Sequence, residues 1–212
     1  CTNNNLTTID VSQNELLFDF YCSYNQLTFL DLSNNNNNIH DVYCHNNLIT
    51  SIHLPTSTPG DIALHCNYNL IEFFDGYNIN LAFVNLSNNP NLVGMNIKND
   101  QHDFISINNT PNLQYVCVDE QDLIDIENVF GYGTDLSNIE INTYCSFEPG
   151  GTFYTIQGNN KFDSNSNGCD ANDLIFSNQK YTITNGSISG TIIADQSGTY
   201  SIPVQSGSHT IT

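Results

Sequence analysis

Arginine and tryptophan are both missing from this 212-residue chain, and lysine occurs only three times, at Lys98, Lys161 and Lys180. Against those cations stand 22 acidic residues, for a formal charge of −19. A polyanion has no electrostatic grip on phosphate backbones or anionic headgroups, which excludes nucleic acid and anionic lipid surfaces as partners. No apolar run approaches the ~18 residues that span a bilayer, so direct membrane insertion is not expected. Catalytic signatures are missing too: there is no H-E-x-x-H, no G-x-S-x-G and no phosphate-binding loop. None of the histidines (His40, His45, His53, His65, His102, His209) sits in a close-spaced metal pair, and in so acidic a chain a pair of carboxylates carries no information. A non-catalytic protein is expected. Neither an initiator methionine nor a basic-then-apolar leader precedes Cys1, and the chain stops inside the strand-like GSHTIT. Both ends therefore read as cuts in a processed or longer protein.

What the chain does have is a comb. The unit L-x-x-L-x-L-x-x-N fits Leu6/Ile9/Val11/Asn14, Leu17/Phe20/Cys22/Asn25, Leu27/Leu30/Leu32/Asn35 and Ile39/Val42/Cys44/Asn47. It continues as Ile49/Ile52/Leu54 with Ser57 in the asparagine slot, then Leu64/Cys66/Asn69, a degenerate Ile71/Phe74, Leu81/Val84/Leu86/Asn89 and Leu92/Met95/Ile97 ending in Asp100. Ile105/Ile107 and Leu113/Val116/Val118 close the series. Two half-units make a turn of roughly 21–22 residues, a leucine-rich-repeat period. The cysteines keep the same period: Cys1, Cys22, Cys44 and Cys66 are 21, 22 and 22 residues apart. In such a strand the alternating apolar residues point inward and those between them face solvent. The asparagine turns the chain out of the strand, and its amide can pair backbone groups that a tight turn leaves open. One repeat cannot bury its apolar face alone; stacked neighbours can.

Regular cysteines invite a zinc or redox reading. Zinc ligands must converge on a point, whereas cysteines one coil apart stack along a line, so Cys22, Cys44 and Cys66 are expected as small hydrophobes of the core, with Cys1 more exposed.

These alternating half-units, LTFLDLSNN beside L-x-x-L-x-C-x-x-N, resemble the nested-period (10+11 residue) leucine-rich repeats of bacterial surface proteins of the Bacteroidetes/Flavobacterium type. The resemblance covers residues 1–118 and implies a narrow right-handed solenoid with strands on both long sides. Drift at 55–62 and 71–80 predicts a bulged loop. Residues 119–150 lack the repeat and read as a C-terminal cap and linker, with a short helix in DLIDIENVF. Cys117 occupies the slot between Val116 and Val118 and should face away from the interior. Pairing of Cys117 with Cys145 is the candidate disulfide stapling the cap, which leaves Cys169 as the odd thiol or the partner of something outside this chain.

From residue 151 the texture changes to Gly, Ser and Thr with alternating strands KYTIT, GSISGTIIA, GTYSIPV and SHTIT. The expected fold class of the whole is mostly β, a leucine-rich-repeat solenoid followed by an antiparallel β-sandwich over 151–212 that is incomplete at its C-terminus. This module resembles the transthyretin-like or Cna-B-like sandwiches of bacterial adhesins, and TYCSFEPGGTFYTIQGNNKFDSNSNGCD resembles the segment after the repeats in type IX secretion cargo. Within it Asp163, Asn165 and Asn167 stand at positions 1, 3 and 5 of D-x-N-x-N-G, with Cys169, Asp170 and Asp173 following. Hard oxygens at that spacing suit a structural Ca2+. The competing reading is a polar turn, since position 12 of a calcium loop, Leu174, has no carboxylate.

The resulting expectation is a secreted or cell-surface adhesin or binding module. Its outward residues Thr28, Phe29, Asp31, Tyr43, Thr50 and His53 would meet a protein or glycan. A structural stalk or filament segment that self-associates, or an accessory region of a secreted hydrolase, are the alternatives.

Overall fold

The computed structural model describes residues 1–35, 39–56, 58, 60–146, 152–168 and 170–212, which form two compact units, Cys1–Ile139 and Glu140–Thr212. Two positions singled out from the sequence, Ser57 and Cys169, lie outside the described residues.

The first unit is a β-solenoid, part of a fold of about six turns. Ten short strands follow one another: β1 Asp19–Tyr21, β2 Phe29–Asp31, β3 Asp41–Tyr43, β4 Ser51–His53, β5 Ile62–His65, β6 Phe73–Asp75, β7 Leu81–Asn85, β8 Gly94–Asn96, β9 Ile105–Ser106 and β10 Tyr115–Cys117. Odd strands stack in parallel as β1-β3-β5-β7-β9. Even strands stack on the other side, β2 against β4 and β6 against β8 against β10. The register places Phe20, Val42, Leu64, Val84 and Ile105 in one inward column, and Phe74, Met95 and Val116 in another. All are buried, as are Leu27, Leu30, Leu32, Ile39, Ile49, Leu86, Leu92 and Ile97. The slot assignment read from the repeat therefore describes how the coils pack.

The asparagines supply the join between coils. Asn47 donates its amide to the carbonyls of Cys22 (3.1 Å) and Cys44 (3.0 Å), and its Oδ1 accepts the Leu27 N–H (3.0 Å). Asn25, Asn69 and Asn89 repeat the arrangement with Cys1 and Cys22, Cys44 and Cys66, and Cys66 and Leu86. The residue before each is left-handed: Tyr24, Asn46, Tyr68 and Asn88 have φ of 55–59°. A tyrosine in that region is an uncommon choice, and the side-chain-to-backbone bonds one residue on hold it there.

The drift at 71–80 does not produce a loop. Phe73–Asp75 is a regular strand, with Ile71 and Phe74 buried in their slots. The third apolar slot holds Gly76, where a Cβ would lie 2.9 Å from Leu81 and 3.1 Å from the Phe74 ring. Phenylalanine in one slot fills the space that the next slot vacates. At the end of the 55–62 stretch, of which residues 57 and 59 lie outside the described residues, the register shifts between Ile62 and Ala63 where β5 pairs β7. In the stretch ending the Leu92 repeat, the buried asparagine is Asn99 rather than the residue at 100; Asp100 takes the left-handed turn with φ 60°. After β10 come two one-turn helices, α1 Glu120–Ile124 and α2 Ile126–Phe130.

The second unit contains β11 Glu140–Asn142, β12 Tyr154–Asn159, β13 Lys161–Phe162, β14 Leu174–Ile175, β15 Lys180–Thr184, β16 Ser189–Ile193, β17 Thr199–Val204 and β18 Thr210–Ile211. Its pairings are antiparallel: β12 with β17, β13 with β14, and β15 with both β16 and β18. Tyr144, Ile183, Ile192, Ile202 and Val204 form its core. No helix among the described residues is long and apolar enough to cross a membrane.

Candidate functional site

Each outward position of a solenoid strand recurs one coil later, so side chains 22 residues apart become neighbours. On the β2–β4 face this brings Thr28, Phe29, Asp31, Thr50 and His53 together. Phe29 pairs with Ser51 and Asp31 with His53 in register, the Phe29 and His53 rings meet edge-on at 4.9 Å, and Thr50 donates its N–H and hydroxyl to the Thr28 carbonyl. The hydroxyl and N–H of Ser33 hold the Asp31 carboxyl below the usual aspartate pKa, so it is a fixed anion at neutral pH.

Tyr43 is not with them. It lies on the β1–β3–β5 face, between Tyr21 (4.9 Å, 7°) and His65 (4.3 Å, 4°). Both faces of its ring are covered, which leaves its edge and hydroxyl outward. Burial lowers the His65 pKa, which favours the neutral imidazole in the stack. Along the same face Asp19 and Asp41 are register partners, and His40 stacks on Phe18 at 5.4 Å and 2°.

The end of the solenoid holds a constellation that the repeat analysis passed over. Asp103, Asp119 and Asp122 are all buried. Asp119 Oδ2 accepts the N–H groups of Asn99 and Asp100 (both 2.9 Å), Asn99 donates its amide to both oxygens of Asp103, and His102 Nδ1 lies 2.8 Å from Asp122. Asp119 Oδ1 and Asp122 Oδ2 have no hydrogen-bond partner among the described residues. Burial raises the pKa of all three, that of Asp103 to about 7. Sequence could have flagged the group only through the abnormal density of aspartates where the repeat fails. A shallow groove of about 700 Å³ in the first unit is lined by Asn88, Asn108, Asn109, Thr134 and Asp135 together with apolar Pro90, Ile107 and Leu113.

Cys22, Cys44 and Cys66 are free and buried, and Cys1 is free and exposed. Burial pushes the Cys22 thiol up to about 12 and raises Cys44 and Cys66 as well, which makes them inert at neutral pH. Cys117 and Cys145 are each disulfide-bonded, and Cys117, expected to face away from the interior, is fully buried along with its strand neighbours Tyr115 and Val116.

In the second unit, the described residues 163–168 and 170–173 lie between the antiparallel partners β13 and β14. Asp163 accepts the N–H groups of Gly168 (2.9 Å) and Asn167 (3.3 Å), Asp173 accepts that of Asp170 (2.8 Å), and Lys161 donates to the Asp170 carbonyl (2.7 Å). Asp163, Asn165, Asn167, Asp170 and Asp173 thus belong to one turn, with the Asp163 carboxyl held below its usual pKa first by the Gly168 N–H.

No family model, curated protein or solved structure matches the chain.

Proposed function

We propose that this chain is a non-catalytic binding module of a secreted or cell-surface protein, acting through the outward faces of its solenoid on a protein or glycan. The observation that supports the reading is the register-locked array of outward side chains. Phe29 with His53 and Asp31 on one side, and Tyr21, Tyr43 and His65 on the other, are held in line by parallel ladders rather than by mobile loops. A preordered array binds with little side-chain entropy to lose. The period, the buried asparagines and the cysteine slots favour assigning the solenoid to the nested-period leucine-rich repeats. The antiparallel pairs of the second unit favour a transthyretin-like or Cna-B-like sandwich. Export by the type IX route and a structural Ca2+ in the 163–173 loop belong to the same reading.

Screening the chain against immobilised glycans and extracellular proteins at physiological salt tests it. A saturable partner is expected whose affinity drops at least about tenfold in Phe29→Ala or Tyr21→Ala with melting unchanged. A partner indifferent to substitutions on both faces, or no partner at all, would favour a structural stalk instead.

A further inference from the structure

We propose that Asp19, His40 and Asp41 form a binding site for a borderline divalent cation of the Zn2+ class on the β1–β3 face of the solenoid. One imidazole nitrogen and two carboxylate oxygens, one from each residue, lie within 4.8 Å of one another. His40 Nδ1 is 3.5 Å from Asp41 Oδ2. Two ligands on a tetrahedral zinc at bond lengths of ~2.0–2.1 Å are separated by about 3.3 Å, so this pair already spans nearly one edge of the polyhedron. The third donor comes from the neighbouring coil: the parallel ladder sets Asp19 directly against Asp41.

Two further features separate this cluster from an ordinary patch of surface acids. First, the imidazole is preoriented. Its ring is stacked flat on Phe18, and the backbone N–H of His40 donates to the Phe18 carbonyl at 2.8 Å. Second, like charges facing each other across a strand pair are destabilising, and the chain has no arginine and only three lysines. Of those, Lys98 pairs with Glu120 and Lys161 holds the Asp170 carbonyl. Among the described residues, the group within ion-pair reach of Asp41 is His40 itself. A bound divalent cation would neutralise both carboxylates at once.

The donor set chooses the metal class. One nitrogen and two oxygens suit Zn2+, and also Mn2+ or Cu2+, better than Ca2+, which takes six to eight oxygens. Three protein donors leave outward positions to water or to a ligand group on a partner. Sequence scanning for close-spaced ligand pairs passes this site by, because Asp19 and His40 are 21 residues apart in the chain and become neighbours only through the coil. The proposal stands independently of the binding-module reading.

The test is competition for Zn2+ against a chromophoric chelator of micromolar affinity, on the full chain carrying Cys1→Ser to remove the exposed thiol. The melting temperature of each variant confirms folding. One equivalent of Zn2+ is expected to bind with micromolar Kd. Affinity should fall at least about tenfold in both His40→Gln and Asp19→Asn, because each removes one of three donors. Absence of saturable binding, which would reduce the cluster to a His40–Asp41 ion pair, overturns the proposal. So does binding that survives both substitutions or is lost in only one of them.

Discussion

A single buried amide ties neighbouring coils of this protein together. Asn47 satisfies the Leu27 N–H and two cysteine carbonyls across two coils, with no solvent to replace it. Truncation leaves the Leu27 N–H buried and unpaired, at roughly 1–3 kcal/mol, and strips one of two amide donors from the Cys22 and Cys44 carbonyls, which Asn25 and Asn69 still reach. Asn47→Ala is therefore expected to destabilise the solenoid by about 1–3 kcal/mol in urea denaturation. Asn14→Ala, where the side chain is exposed, should change it by less than about 0.5 kcal/mol. Equal effects would mean that the ladder contributes nothing beyond turn propensity. These slots were legible in the sequence because each is a fixed residue type at a fixed interval. Gly76 was not: it breaks the pattern by letter, and only the Phe74 ring lying where its side chain would go shows that the slot is filled.

At the level of elements, the segment from β10 into α1 is bound to the preceding turn by acids, and that makes its stability respond to pH in an uncommon direction. The Asp103 pKa rises from 3.8 to about 7 on folding, chiefly by burial, with Asp122 and Asp119 adding repulsion while Asn99 and His102 oppose it. A folded state that holds the proton more tightly than the unfolded chain is favoured at low pH. The contribution is full below about pH 4, is lost progressively as pH rises to about 7, and stays lost above. Asp103→Asn is expected to raise the urea midpoint at pH 8 and to flatten its decline between pH 4.5 and 7. A variant less stable than the parent at pH 8 would show that the charged carboxylate has a stabilising partner. The 163–173 hairpin loop poses the opposite case, a carboxyl whose pKa folding lowers. If Ca2+ occupies that loop, millimolar calcium should stabilise the second unit by about 1–3 kcal/mol, and Asp163→Ala should abolish the gain. Melting unaffected by calcium would leave an ordinary turn. Neither cluster could be weighed from sequence, because burial, not residue type, decides whether an aspartate is a ligand, a proton store or a solubilising charge.

For the whole molecule, the solenoid was legible because stacking makes every coil obey the same local rule, so a period in the letters becomes a period in space. The outward faces were only half legible. The sequence marks Phe29 and Tyr43 alike as outward residues, yet the fold sends them to opposite sheets and covers both faces of the Tyr43 ring. Which coils alternate sides follows from the half-unit order. Which rings stack follows from registers that no letter encodes. The charge, by contrast, acts on the whole fold at once. With 22 acids against three lysines, self-repulsion opposes the compact state, and among the described residues Lys98–Glu120 is the one lysine–carboxylate ion pair that salt could weaken. The Debye length falls from ~30 Å at 0.01 M to ~3 Å at 1 M salt, which removes repulsion between charges on different coils while leaving the buried amides untouched. The melting temperature is therefore expected to rise by several degrees between 10 mM and 500 mM NaCl, and to do so equally in Asn47→Ala, whose lost bonds are not ionic. A melting temperature that falls with salt would mean that specific ion pairs outweigh the net charge, and that the acidity of this chain is arranged rather than merely abundant.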